Sequence, residues 1–208
     1  MENKSGFHRF LDYIEEHKLA AVAILLVVGC VVWSVVRKAT APDRDEQVNF
    51  AVTAFGYHSD GKEEELLEQV AADGIKEVNL SFYDISDTSG MAGYLLTYGY
   101  RMSDILILDT ALGQSVLRDC FYVFPEKVTE ELSKAAGFDL HFVKDDGNAV
   151  GVLVHENGND AYNAHFRELN GWLLFAADGT EYDFAVFFNV NSIYNETENL
   201  NLLKYILK

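Results

Sequence analysis

From Leu19 to Val36 the chain reads LAAVAILLVVGCVVWSVV, a run of 18 residues without a charge. As a helix rising 1.5 Å per residue the run is about 27 Å long, close to the roughly 30 Å of a bilayer's hydrocarbon core. Lys18 flanks one end and Arg37-Lys38 the other, placed to reach headgroups, and Trp33 lies near one interface. Core helices of soluble domains are rarely apolar on every face over such a length. The pattern predicts a transmembrane helix over residues 19–36, with the lipid bilayer as its partner and residues 1–18 as a short tail.

Polarity returns in ATAPDRDEQ, residues 39–47, a linker in which Pro42 stops the helix. Residues 48–208 then carry the periods of a folded domain. Val48, Phe50, Val52 and Ala54 alternate within Val48 to Tyr57 and predict a strand. From Asp60 to Ala72 the spacing is helical: Leu66, Leu67, Val70 and Ala71 share a face. Glu63, Glu64 and Glu65 fall in its first turn, where acids oppose the helix dipole. Val78, Leu80 and Phe82 alternate in a second strand, and Asp87 can cap a short helix running to Tyr98. ILIL, Ile105 to Leu108, is continuously apolar, as in a parallel strand covered on both faces.

Helices are predicted over 110–118 and 126–136, and the second half changes character. LHFV and AVGVLV flank the turn KDDGN, which reads as a hairpin. WLLFAA and YDFAVFFNV flank ADGTE, which reads as another. Leu200, Leu203, Ile206 and Leu207 close the chain on an amphipathic helix. These elements predict an α/β domain with an open, mainly parallel sheet flanked by helices and extended by antiparallel hairpins.

Charge narrows the partners. The net is −17, yet residues 1–38 hold five Lys or Arg against four Asp or Glu, so the acidity belongs to the domain. A surface of that sign repels phosphate backbones and excludes nucleic acid. Cys120 is the domain's only cysteine, so it holds no internal disulfide. VVGC at Val27–Cys30 fits a bacterial lipobox, but VVWSVV continues the apolar run past the cysteine and Asp12 to Lys18 is acidic. A retained helix is expected. Lys4, Arg9 and Lys18 before it balance Arg37, Lys38 and Arg44 after it. With charge even, a short tail and a bulky acidic domain favour a cytoplasmic N-terminus and an extracytoplasmic domain in the cell membrane.

The order strand, ELLEQVAADG, VNLSFYDIS, short helix, SDILIL resembles the first lobe of extracytoplasmic solute-binding proteins of ABC transporters. Asp104-Ile105 matches the pair that opens their third strand. KDDGNAVGVLVHENG is similar to their Asp-Gly segment near the lobe crossover, with Ala149-Val150 where an aromatic is common. FFNVNSIYNETENLNLLKYIL resembles their closing strand, Asn-x-Ser turn and final helix. FLDYIEEHKLAAVAILL is similar to the N-terminus of single-pass proteins of Gram-positive bacteria that carry such domains. Residues 48–208 are too few for two domain-sized lobes, so the resemblance implies a reduced periplasmic-binding-protein-like lobe.

Catalytic chemistry is sparse: G-x-S-x-G, H-E-x-x-H and C-x-x-C do not occur, and no enzyme activity or cofactor is expected. Gly113-Gln114-Ser115 reads as part of a helix, and His165 to Glu168 lacks the second His of a zinc helix. His141 and His155 fall in the predicted hairpin without a third ligand. Asp145 to Asn148 and Glu156 to Asp160 offer oxygen ligands, but turns recruit the same residues and the calcium-loop spacing is missing. No metal is expected. Ligands of an open parallel sheet gather beyond the carboxyl ends of its strands. Those ends supply Tyr57 and Ser59, Tyr83 and Asp84, and Asp109 and Thr110 as candidate ligand-binding residues for a small solute, a sugar or a peptide. The other expected partner is a membrane protein such as a transporter, docked without small-molecule binding.

Overall fold

ILIL and FAVFF are the two segments apolar on both faces, and both become central strands with every residue buried. The computed structural model describes residues 18–58, 60–71, 74–86, 102–116, 120–175, 182–190, 192, 203 and 206. It divides into Met1–Pro42 and Asp43–Lys208. Outside the described residues lie Ser59, the expected helix from Asp87 to Tyr98, the end of the helix predicted to 118 and residues 1–17 of the tail.

In the first unit α1 spans Lys18–Thr40, running past the predicted Val36 until Pro42 prevents a further turn. Its stretch Val22–Thr40 is long and apolar enough to cross a membrane, and none of it is buried within the protein. Length and composition of this kind suit a membrane anchor or a signal sequence. Arg37 lies over the Trp33 ring, 5.3 Å from its centroid.

The second unit opens on a 3₁₀ turn, Arg44–Glu46, and β1, Gln47–Ala54. The predicted strand breaks at Phe55; Gly56–Tyr57 forms a separate β2. Then come α2 (Lys62–Val70), β3 (Glu77–Asp84), β4 (Ile105–Asp109), α3 (Thr110–Val116) and α4 (Glu126–Ala136). β5 (Phe142–Asp145) and β6 (Asn148–His155) follow, then α5 (Asp160–Asn163), α6 (Arg167–Trp172), β7 (Leu173–Leu174) and β8 (Phe184–Phe188). Leu203 and Ile206, the described part of the closing helix, are helical, and Leu203 is fully buried.

The six-stranded sheet has the order β3-β1-β4-β8-β6-β5. β3, β1 and β4 run parallel, whereas β8 is antiparallel to both β4 and β6, and β6 to β5. The expected mainly parallel sheet is therefore mixed, its antiparallel half as wide as its parallel half. The KDDGN hairpin forms as predicted, with Asp146 at φ 47 and Gly147 at φ 86 in its turn. The second hairpin does not. Leu173 and Leu174 pair with Tyr57 and Gly56 instead, and β8 inserts between β4 and β6. FAVFF has no polar face for a solvated hairpin, so it takes the position where both faces are covered.

Packing is closest around Phe187. Its ring lies where a Cβ on Gly151 would come within 2.6 Å and one on Gly113 within 3.0 Å, and Phe121 stacks on it at 4.1 Å. Only glycine leaves room for this ring. At the opposite edge of β3, the Leu80 amide donates to Glu63 Oε1 of α2 at 3.2 Å.

Asp104, fully buried just before β4, gathers distant parts of the chain. Arg44 Nη2 donates to its two oxygens at 2.8 and 2.9 Å, the Asn49 amide to Oδ2 at 3.0 Å and Ser192 Oγ to Oδ1 at 2.8 Å. Arg44→Met would leave this carboxylate buried without its counter-charge and should cost about 3–5 kcal/mol, read as a lower urea midpoint. Adding Asp104→Leu should recover part of that loss, because no charge is then stranded. Equal stability of wild type and Arg44→Met would show that the pair holds nothing together.

Candidate functional site

β1 is followed by β3 on one side and β4 on the other, so the strand order reverses between the carboxyl ends of β1 and β4. Of the predicted residues, Tyr83, Asp84, Asp109 and Thr110 lie at or next to the ends of these strands. Asp84 is in register with Ala54, and the β1–β4 register, Val52 with Ile107, carries on to bring Asp109 level with Ala54. The two aspartates thus flank the end of β1, about 10 Å apart across two strand spacings.

Their side chains are engaged locally. Asp84 Oδ1 accepts from the amide and hydroxyl of Ser86 at 2.8 and 2.6 Å, bonds that hold its carboxyl below the usual range. Asp109 Oδ1 accepts from the amides of Ala111 and Leu112 at 3.0 and 3.1 Å, capping α3. Burial pushes the Asp109 carboxyl up, against the pull of those amides. The Thr110 amide donates to the Asp183 carbonyl at 2.8 Å, and Tyr83 is half-buried beside Thr53 of β1.

Tyr57 packs face to face on Phe82, ring centroids 3.9 Å apart, and Phe82 meets Trp172 edge-on at 6.0 Å. The Phe55 amide donates to the Leu174 carbonyl at 2.8 Å, so the β2–β7 ribbon is stitched over the end of β1. Tyr57, Leu174 and Tyr182 remain 52, 54 and 40 % exposed. Tyr57 and Asp84 therefore share the β3 side of the rim, and Asp109 and Thr110 the β4 side. No ribbon was legible in the sequence, since a two-residue strand leaves no period to read.

Elsewhere, the two expected histidines join different clusters. His141 Nδ1 lies 2.9 Å from Glu156 Oε2, which also accepts from Asn159 Nδ2 at 2.7 Å, and its ring stacks on Tyr162 at 4.2 Å. The Tyr162 hydroxyl donates to the Leu153 carbonyl at 2.8 Å; burial, partly offset by the His141 amide, pushes it up to about 12. His155 instead packs near Phe175 and Phe184, ring centroids 5.6 and 6.2 Å away. His165 stacks on Phe138 at 4.0 Å. Asn159 caps α5 through the Tyr162 amide, so part of the Glu156–Asp160 cluster serves a turn. Among the described residues no three His, Cys, Asp or Glu side chains gather to hold a metal.

A cleft of about 470 Å³ opens between the first turn of α4 and the β5–β6 hairpin, lined by Phe124, Glu126, Thr129, Phe142, Lys144, Gly147, Asn148 and Ala149. Its size falls within the range of small-molecule sites. No protein-family model, curated protein or solved structure matches the chain.

Substitutions at two positions test these assignments. Asp109→Ala should cost about 1 kcal/mol through loss of the cap, while Asp109→Asn should cost less because Asn also caps; equal losses would refute capping. His155 contributes to the pH dependence of stability. Burial pulls its imidazole below the ordinary 6.5, against the opposing fields of Asp183 and Asp160. Its contribution to stability is complete above pH 6.5 and is lost as pH falls through the lowered folded value. His155→Gln should flatten the decline in urea midpoint as pH falls below 6.5. An unchanged slope would assign the decline to other groups.

Proposed function

We propose that the protein is a single-pass membrane protein whose extracytoplasmic domain recognises a small solute, a sugar or a peptide, without catalysis. In this reading α1 is the retained anchor, the N-terminal tail is cytoplasmic, and the domain is a reduced solute-binding-like lobe. The reading rests on one observation: three parallel strands in the order β3-β1-β4 set Asp84 and Asp109 on either side of the end of β1, and Tyr57 of the β2–β7 ribbon stacks on Phe82 on the Asp84 side. Exposed Tyr57 offers a flat apolar face, and the half of the Asp84 carboxyl not bonded to Ser86 can accept from hydroxyls or amides.

A second reading has its own support. Asp109 caps a helix and Tyr57 packs on Phe82, so the rim is largely spent on the fold, while Tyr57, Leu174 and Tyr182 leave an apolar edge beside it. Such an edge suits a scaffold that docks another membrane protein, such as a transporter, and binds no solute.

Thermal melts of the detergent-solubilised chain against sugars and short peptides separate the two. A solute at 100 times its dissociation constant adds about 2.7 kcal/mol, a rise of roughly 5–10 °C for a domain of this size. The solute reading expects that rise, and its loss in Tyr57→Ala and Asp84→Ala. No rise with any solute would leave the scaffold. Topology is tested by Asn148→Cys in a Cys30→Ala, Cys120→Ala background, which should stay in the membrane fraction and react with an impermeant thiol reagent on intact cells. Reaction only after lysis would place the domain inside.

A further inference from the structure

The turn between β6 and α5 reads Glu156-Asn157-Gly158-Asn159, and the Asn159 amide closes it by donating to the Glu156 carbonyl at 3.1 Å. Gly158 has φ 74 whereas φ at Asn157 is negative, the pattern of a type II turn. Both residues are exposed, and a Cβ added at Gly158 would meet nothing within 4 Å. Asn157 is held through its main chain, its amide donating to Asp183 Oδ1 at 2.7 Å. Among the described residues no group bonds its side-chain amide or the Gly158 N–H.

These are the two groups that deamidation joins. Hydroxide takes the Gly158 amide proton, and the nitrogen attacks Asn157 Cγ. A bond forms between that nitrogen and Cγ, the Cγ–Nδ2 bond breaks, and ammonia leaves with a proton returned from water. Water then opens the cyclic imide at either carbonyl. The products are aspartate and isoaspartate, in which the main chain passes through the former side chain. One water is consumed and one ammonia released, with nothing oxidised or reduced. Glycine favours the attack because no Cβ crowds its nitrogen.

The chain has a second Asn-Gly pair, Asn170-Gly171, and the fold treats it differently. It lies inside α6, Arg167–Trp172, where helical geometry commits the Gly171 amide to a carbonyl one turn earlier. We infer that Asn157-Gly158 is a site of spontaneous deamidation, with water as the only co-reactant, and that the fold confines the reaction to this pair. The inference stands independently of the strand-end reading. The product sets a new carboxylate on the residue whose amide meets Asp183, so like charges gather in the β6–α5 turn.

The detergent-solubilised full chain, held in mildly alkaline buffer made with water enriched in heavy oxygen, tests this by peptide mass spectrometry. Asn157 should lose ammonia and gain a labelled oxygen, with isoaspartate among the products. In the folded chain it should react more than about tenfold faster than Asn170, which reacts only when α6 opens. In urea, where neither turn nor helix remains, the two pairs should react at similar rates. Asn157→Gln should remove the labelled product, because the larger ring it would need closes far more slowly. An Asn157 that stays intact in the folded chain while the unfolded chain reacts overturns the site. Equal rates at Asn157 and Asn170 in the folded chain overturn it too, because the fold would then select neither.

Discussion

A carboxylate with no exposed surface needs its charge and its lone pairs answered, and Asp104 draws its partners from three places in the chain. Arg44 comes from the turn before β1, Asn49 from β1 itself and Ser192 from beyond β8, while Asp104 leads into β4. The backbone repeats the tie: the Asp104 amide donates to the Asn49 carbonyl, and the Asn189 amide to the Asp104 carbonyl. These contacts lie at the amino end of β4, the strand that joins the parallel half of the sheet to β8. The seam between two strand directions is thus locked at one end by charge and along its length by ILIL against FAVFF.

The carboxyl ends of the parallel strands are held by different contacts. There the short β2–β7 ribbon, the Tyr57–Phe82 stack and two locally bonded aspartates form the rim. The fold therefore separates an amino edge rich in buried polar bonds from a carboxyl edge built of aromatic contacts and turns.

Much of this was legible because it is local. Alternation in VNFAVTA, the apolar run ILIL and the Asp-Gly of KDDGN each state their element within a few residues. The apolar run from Leu19 to Val36 likewise shows its helix, though not that it continues to Thr40. What escaped is long-range. Arg44 read as a charge flanking an anchor, yet its partner lies 60 positions away. YDFAVFF read as half of a hairpin because a turn precedes it, whereas its doubly apolar pattern had to find two neighbouring strands. Asp84 and Asp109 were legible as strand ends, whereas Tyr57 falls in a separate ribbon because β1 stops at Ala54; whether Asp109 faces a ligand or caps α3 depends on the direction of one carboxyl group.

The Glu63–Leu80 bond has a further consequence. β3 is an edge strand of eight residues, and such an edge is a template on which another chain can add a strand. Glu63 occupies one outward amide and sets a negative charge beside it. An acid that looks merely suited to a helix start therefore also denies one amide of β3 to an added strand. That protection comes from the neighbouring helix, so the strand itself remains free to keep the apolar residues its buried face requires.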